Sequence, residues 1–188
     1  MNKQPVLWLP FFVLAAISVS SLFIYYLRTP EKNAVIFIQV PLAVLSAAVF
    51  PIFSSFLKGK SFFLSSVILA LFVFLSSILG SVFGFYHRFP LWDVLMHSLF
   101  GLVGSVVLWE VLSPSPILII LSVFGLSALW EVFEFSSDLI LGGDAQRVKF
   151  SLQFGTNPIS DTMTDIAVSG IGIALFFLLK ILKKRKSS

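Results

Sequence analysis

Apolar residues run through this chain in long blocks, broken at short intervals by a few charged, glycine or proline residues. The blocks span about 6–27, 34–57, 62–86, 91–112, 117–141 and 161–182. Each meets the ~20 apolar residues a helix needs to cross a bilayer. The breaks carry the expected punctuation: Arg28-Thr29-Pro30-Glu31-Lys32, Lys58-Gly59-Lys60, His87-Arg88-Phe89-Pro90 and Ser113-Pro114-Ser115-Pro116. The pattern predicts an all-α integral membrane bundle of six transmembrane helices, with residues 1–188 forming a single polytopic domain. Pro10, Pro41 and Pro51 fall within the blocks. Membrane helices accommodate such residues where neighbours satisfy the freed backbone groups.

Composition supports this reading. The 188 residues are 57% hydrophobic and 12% charged, whereas a soluble domain carries roughly 25% charged residues. Polar surface is too scarce to coat a water-soluble globule. There is no cysteine, so disulfides, thiolate metal sites and cysteine nucleophiles are excluded. The net charge of +4 is gathered in loops and in the tail Lys183-Lys184-Arg185-Lys186. That arrangement suits anionic lipid headgroups and does not suit nucleic acid. The N-terminal run resembles a secretion signal at first, with Lys3 and then small residues around Ala15-Ala16. Its apolar stretch continues to Leu27, long enough to span, and is read as an uncleaved first helix.

Six spans with both termini on one side place Lys3, Lys58, Lys60, Lys180, Lys183, Lys184, Arg185 and Lys186 there. Arg28, Lys32, Arg88, Arg147 and Lys149 fall on the other side, so the count is eight against five. The excess predicts that both termini lie in the cytoplasm. One loop, residues 142–160, is long and polar and is expected on the outer side.

The ionisable groups are unevenly distributed. The first three spans hold none in their interiors, while the last three hold Asp93, His97, Glu110, Glu131, Glu134, Asp138, Asp161 and Asp165. A charge in the membrane interior costs about 2.5–3.5 kcal/mol on insertion scales, so such residues turn towards a bundle interior or a wet cavity. Asp93 and His97 are four apart, as are Asp161 and Asp165. Glu131, Glu134 and Asp138 follow an i, i+3, i+7 stripe. Below them on the same stripes lie small residues: Gly101, Gly104 and Ser105; Ser127; Ser169 and Gly172. Alternating helix direction brings the acidic ends to one side of the membrane, so these seven residues are expected to share an outer-side pocket. Glu110 lies at the opposite end and reads as a snorkelling interfacial residue.

Plainer roles compete. Asp93 and Asp161 suit helix N-terminal capping. A single histidine is more often packed and hydrogen-bonded than catalytic. Trp92, Trp109 and Trp130 suit packing or the interface. Glu134 and Asp138 resist such a reading, because a helix C-terminus disfavours negative charge. Glu131 is too deep to snorkel. Carboxylates with one imidazole suit a divalent ion such as Mg²⁺, Mn²⁺, Fe²⁺ or Zn²⁺. The metal candidates are Asp93, His97, Glu131, Glu134, Asp138, Asp161 and Asp165, and the catalytic candidates are His97, Glu131, Glu134 and Asp165. No His-Glu-x-x-His, Gly-x-Ser-x-Gly or phosphate-binding glycine loop is present.

The segments Trp92-Asp93-Val94-Leu95-Met96-His97-Ser98-Leu99-Phe100-Gly101, Trp130-Glu131-Val132-Phe133-Glu134 and Asp161-Thr162-Met163-Thr164-Asp165 resemble the YjdF-like family of bacterial inner-membrane proteins. The likeness covers roughly residues 91–175, and the first three spans match only in being apolar. The chain departs from that pattern at Thr156-Asn157-Pro158, where a Gln-Gly-Asp stretch is expected. A looser similarity is to VanZ-like membrane proteins. The resemblance implies a membrane protein without an established activity, and the looser one a cell-envelope setting.

Three functions compete on the sequence alone. The first is a cation-dependent enzyme acting on a lipid or envelope substrate, with the long loop as a lid. The second is an ion- or proton-coupled transporter using the carboxylates as a relay. The third is a structural or assembly protein, in which the polar cluster only ties helices together. Membrane lipids are the one partner class the sequence implies.

Overall fold

The computed structural model describes residues 4–30, 33–54, 62–112, 115–146 and 157–186. Among these, every regular element is helical. Six helical stretches are long and apolar enough to cross a membrane: Val6–Arg28, Ala34–Phe53, Phe63–Val82, Trp92–Val111, Pro116–Leu141 and Ile159–Arg185. The protein is an all-α membrane bundle. Its chain divides into two compact units, Met1–Trp92 and Asp93–Ser188.

In the first unit, α1 (Gln4–Arg28) packs against α2 (Ala34–Ser46), α3 (Val49–Ser54) and α4 (Phe63–Val73). Asn33 opens α2, its side-chain oxygen accepting from the Val35 amide at 3.0 Å. The second span is divided, not continuous as its apolar run suggests. Helix α2 stops at Ser46 and α3 begins at Val49. Pro51 supplies the reason: a proline ring collides with the carbonyl four residues back, here Ala47. Placed in the first turn of a new helix, Pro51 gives up only an amide that has no helical partner there.

Helix α4 runs on as a π-helical segment, Phe74–Val82. Gly80 lies within it against the ring of Tyr86, and a Cβ at that position would collide with the ring. The third span ends here, short of residue 86, because Gly84 adopts the left-handed conformation at φ 73°. A separate single turn, α5 (Phe85–Arg88), follows. Leu14, Val40, Phe50, Phe62, Val73 and Ile78 of this unit are buried, and the Phe50 and Phe62 rings stack with centroids 5.5 Å apart.

The second unit holds the remaining three long helices: α6 (Trp92–Leu112), α7 (Pro116–Leu141) and α8 (Pro158–Lys186). Helix α7 starts with proline as its first residue and ends at Gly142, left-handed at φ 70°, whose N–H donates to the Asp138 carbonyl at 2.9 Å. Helix α8 begins three residues before the expected 161. Asn157 caps it, its side chain accepting from the Ile159 amide at 3.0 Å. Asp161 therefore sits inside the first turn, and capping does not account for it. The helix also continues past 182 through the basic tail.

Below the polar ends of these helices, Ile119 and Val123 of α7 meet Ile173 and Phe176 of α8 in a buried apolar cluster. At the far end Lys180 lies over the Trp109 ring, 4.2 Å from its centroid. The opposite faces, including Leu121, Leu129, Val132 and Leu139, are exposed and apolar, as lipid contact requires.

Candidate cation site in the second unit

Small residues let α6 and α8 approach backbone to backbone. A Cβ on Gly101 would collide with the Ser169 carbonyl oxygen, and one on Gly172 with the Ser98 carbonyl oxygen. Close approach through small residues is the usual means of helix association in lipid. The contact brings Ser169 of α8 against His97 of α6. The Ser169 hydroxyl, fully buried, donates towards the His97 carbonyl at 3.2 Å and the Asp165 carbonyl at 3.1 Å. Ser127 of α7 lies 3.0 Å from Ser169 Oγ. A hydroxyl has one proton. With that of Ser169 directed at the carbonyls, Ser127 is the donor between the two. This serine layer ties the three helices together one turn below the acidic ends.

Immediately above it the charged side chains converge on His97. Its Nε2 lies 3.5 Å from Asp93 Oδ1, 3.8 Å from Glu131 Oε1 and 3.9 Å from Asp165 Oδ2. Asp93, His97 and Asp165 each offer a ligand atom, all within 4.8 Å of one another. Glu131 stands beside that group. The side chains are 13% exposed for Asp93, 9% for His97, 5% for Glu131 and 6% for Asp165. Glu131 lies ten residues from the end of α7, or ~15 Å along the axis at 1.5 Å per residue.

Of the other candidates, Glu134 and Asp161 interact electrostatically with this centre. Glu134 accepts a hydrogen bond from Trp130 Nε1 at 2.8 Å and is within electrostatic reach of Glu131, Asp93 and Asp165. Asp161 is within reach of His97 and Glu131. Asp138 is engaged elsewhere. Its Oδ1 accepts from the Ala145 amide at 2.8 Å and its Oδ2 from the Gln146 amide at 2.9 Å, closing the turn after α7. Glu110 is at the other end of α6. Of the long polar loop, only residues 142–146 and 157–160 are among those described.

Gln146 belongs to the site although its sequence position does not announce it. Its side-chain amide donates to the Glu131 carbonyl at 3.0 Å and to Glu131 Oε2 at 3.1 Å. The other carboxylate oxygen, Oε1, is buried and has no hydrogen-bond partner among the described residues. The arrangement is a buried N/O donor set, open at one oxygen, in helices whose own sequence offers little neutralising charge. Helices α6 and α7 contain no Lys or Arg, and the first in α8 is Lys180.

No curated protein and no solved structure matches the chain. A family described as predicted membrane protein (DUF2238) matches residues 11–185. The match spans most of both helical units, and the chain belongs to the DUF2238 family of predicted membrane proteins.

Proposed function

We propose that the second unit binds one divalent cation through Asp93, His97 and Asp165, and uses it to act on a lipid or other envelope substrate at the outer leaflet. The observation that carries this reading is the convergence of Asp93, His97 and Asp165, their ligand atoms within 4.8 Å of one another, with Glu131 Oε1, buried and without a hydrogen-bond partner among the described residues, 3.8 Å from His97 Nε2. Leaving a buried polar atom unmade costs about 1–3 kcal/mol, more for a charged group. A cation among these donors offsets that cost and that of grouping carboxylates. An imidazole in the set favours Zn²⁺, Mn²⁺ or Fe²⁺ over Mg²⁺, which prefers oxygen ligands and gives up its water reluctantly. Such an ion polarises a carbonyl or phosphoryl oxygen, and Glu131 stands where it can exchange a proton with a group bound there. Both termini lie in the cytoplasm on this reading, which puts the site at the outer face. The looser similarity to VanZ-like proteins, which also pair an Asp/His helix with later acidic positions, supports an envelope setting.

A non-catalytic role has its own support. The Ser127–Ser169–His97 chain and the contacts at Gly101 and Gly172 hold the helices without any ion. Metal analysis of protein purified in detergent separates the two. One equivalent of bound metal, lost in His97→Ala and Asp165→Ala but kept in Glu110→Ala, is the expected result. Wild-type protein that takes up no Zn²⁺, Mn²⁺ or Fe²⁺ after loading and desalting would leave the cluster as a structural tie.

A further inference from the structure

We infer that Gln146 is a positioning residue that couples the turn outside α7 to the affinity of the cation site. The inference rests on the cation reading and extends it to a part of the chain that holds no ligand. The geometry has three links. Gly142 reverses the chain at the end of α7. Asp138, one turn inside that end, receives two successive amides of the returning strand, Ala145 and Gln146, one on each carboxylate oxygen. The Gln146 side chain then reaches 15 residues back in sequence to clasp Glu131 at its carbonyl and its Oε2.

The clasp settles which Glu131 oxygen faces the site. One amide group occupies both Oε2 and the backbone carbonyl, and the Thr162 side chain also hydrogen-bonds the Glu131 carboxylate, so the carboxylate cannot rotate without giving up a bond. Oε1 is held towards His97 as a result. Glu131 Oε1 borders the three proposed ligands, 3.8 Å from His97 Nε2, where it orients and neutralises the imidazole side of the site, and loss of a hydrogen-bonded partner behind metal ligands typically costs about 10–100-fold in affinity. Asp138 has its part in the same device: it anchors the turn that delivers Gln146 and does not itself face the donor set. Coupling of this kind is reciprocal. If the turn strengthens ion binding, the ion must stabilise the turn to the same extent.

Zn²⁺ binding to the full-length protein in detergent, followed by competition with a chelator, provides the test. Gln146→Ala should weaken binding by about 10–100-fold, and Asp138→Ala, which leaves the Gln146 side chain intact, should weaken it comparably. In a Glu131→Gln background, Gln146→Ala should have far less effect, because the pair acts as one unit. Hydrogen exchange supplies a readout that a general loss of stability does not imitate. Zn²⁺ should slow exchange at the amides of Ala145 and Gln146 in wild type but not in Gln146→Ala. Wild-type Zn²⁺ affinity in Gln146→Ala overturns the coupling while leaving the cation site standing. Absence of Zn²⁺ binding by the wild type overturns both.

Discussion

Replacing Gly172 by alanine adds one carbon where α6 and α8 leave no room. The new Cβ would run into the Ser98 carbonyl and lie 2.5 Å from the Leu102 amide nitrogen. Both obstacles are backbone, so no side chain can turn aside, and the helices must separate. Overpacking of this kind costs about 1–3 kcal/mol. Separation also breaks the buried bond from Ser169 to the His97 carbonyl, adding about 1 kcal/mol. The total, about 2–4 kcal/mol, corresponds to a fall in melting temperature of about 4–16 °C for a chain of this size. The assay is tryptophan-monitored thermal unfolding in detergent, with Gly125→Ala as the control. Gly125 lies in the same unit with open space around it, and alanine there should be neutral or gain about 0.5–1 kcal/mol from helix propensity. Equal melting temperatures for Gly172→Ala and wild type would refute the backbone contact on which the site's dimensions depend.

Further predictions follow from the serine layer and from membrane topology. Ser169→Ala should cost about 1–3 kcal/mol, because Ser127 is left buried without its partner, while the double variant Ser127→Ala/Ser169→Ala should be less destabilised than Ser169→Ala alone. Thermal unfolding of the three variants decides this, and additive losses would mean that the two hydroxyls do not interact. Compartment reporters fused at Ser188 and inserted at 143 should lie on opposite sides of the membrane, with the C-terminal one in the cytoplasm; the same side for both would contradict the direction of α8.

The spans were legible because crossing a bilayer demands length and apolarity, and both are local properties of sequence. The meeting of Asp93, His97 and Asp165 was legible for a related reason. Four-residue spacing fixes a helix face, and alternation of direction fixes which ends come together. Interruptions inside the spans were less so. Pro51 was visible as a proline within an apolar run, but whether it bends a helix or begins a new one depends on what happens at Ala47 and Ala48. The left-handed Gly84, the π-helical segment before it and the seat of Tyr86 against Gly80 are features that periodicity does not encode. Asn157-Pro158, a cap followed by a first-turn proline, reads as loop by composition, so the apolar pattern starts α8 three residues late. Gln146 was missed for a deeper reason. Its place beside Glu131 exists only once Asp138 has gathered the turn, and Asp138 on its own stripe looks like one more member of the acidic face.

The apolar cluster beneath the serines gives the second unit a blind end. From Ser127 to Ile119 is eight residues of α7, or ~12 Å of helix. Over that depth the facing side chains of α7 and α8 are Val123, Ile119, Ile173 and Phe176. This stretch works as an insulator. On the cation reading proposed above, a charge at His97 has carboxylates beside it and this apolar cluster beneath it, so the facing surfaces of α7 and α8 give it no polar route onward over that depth.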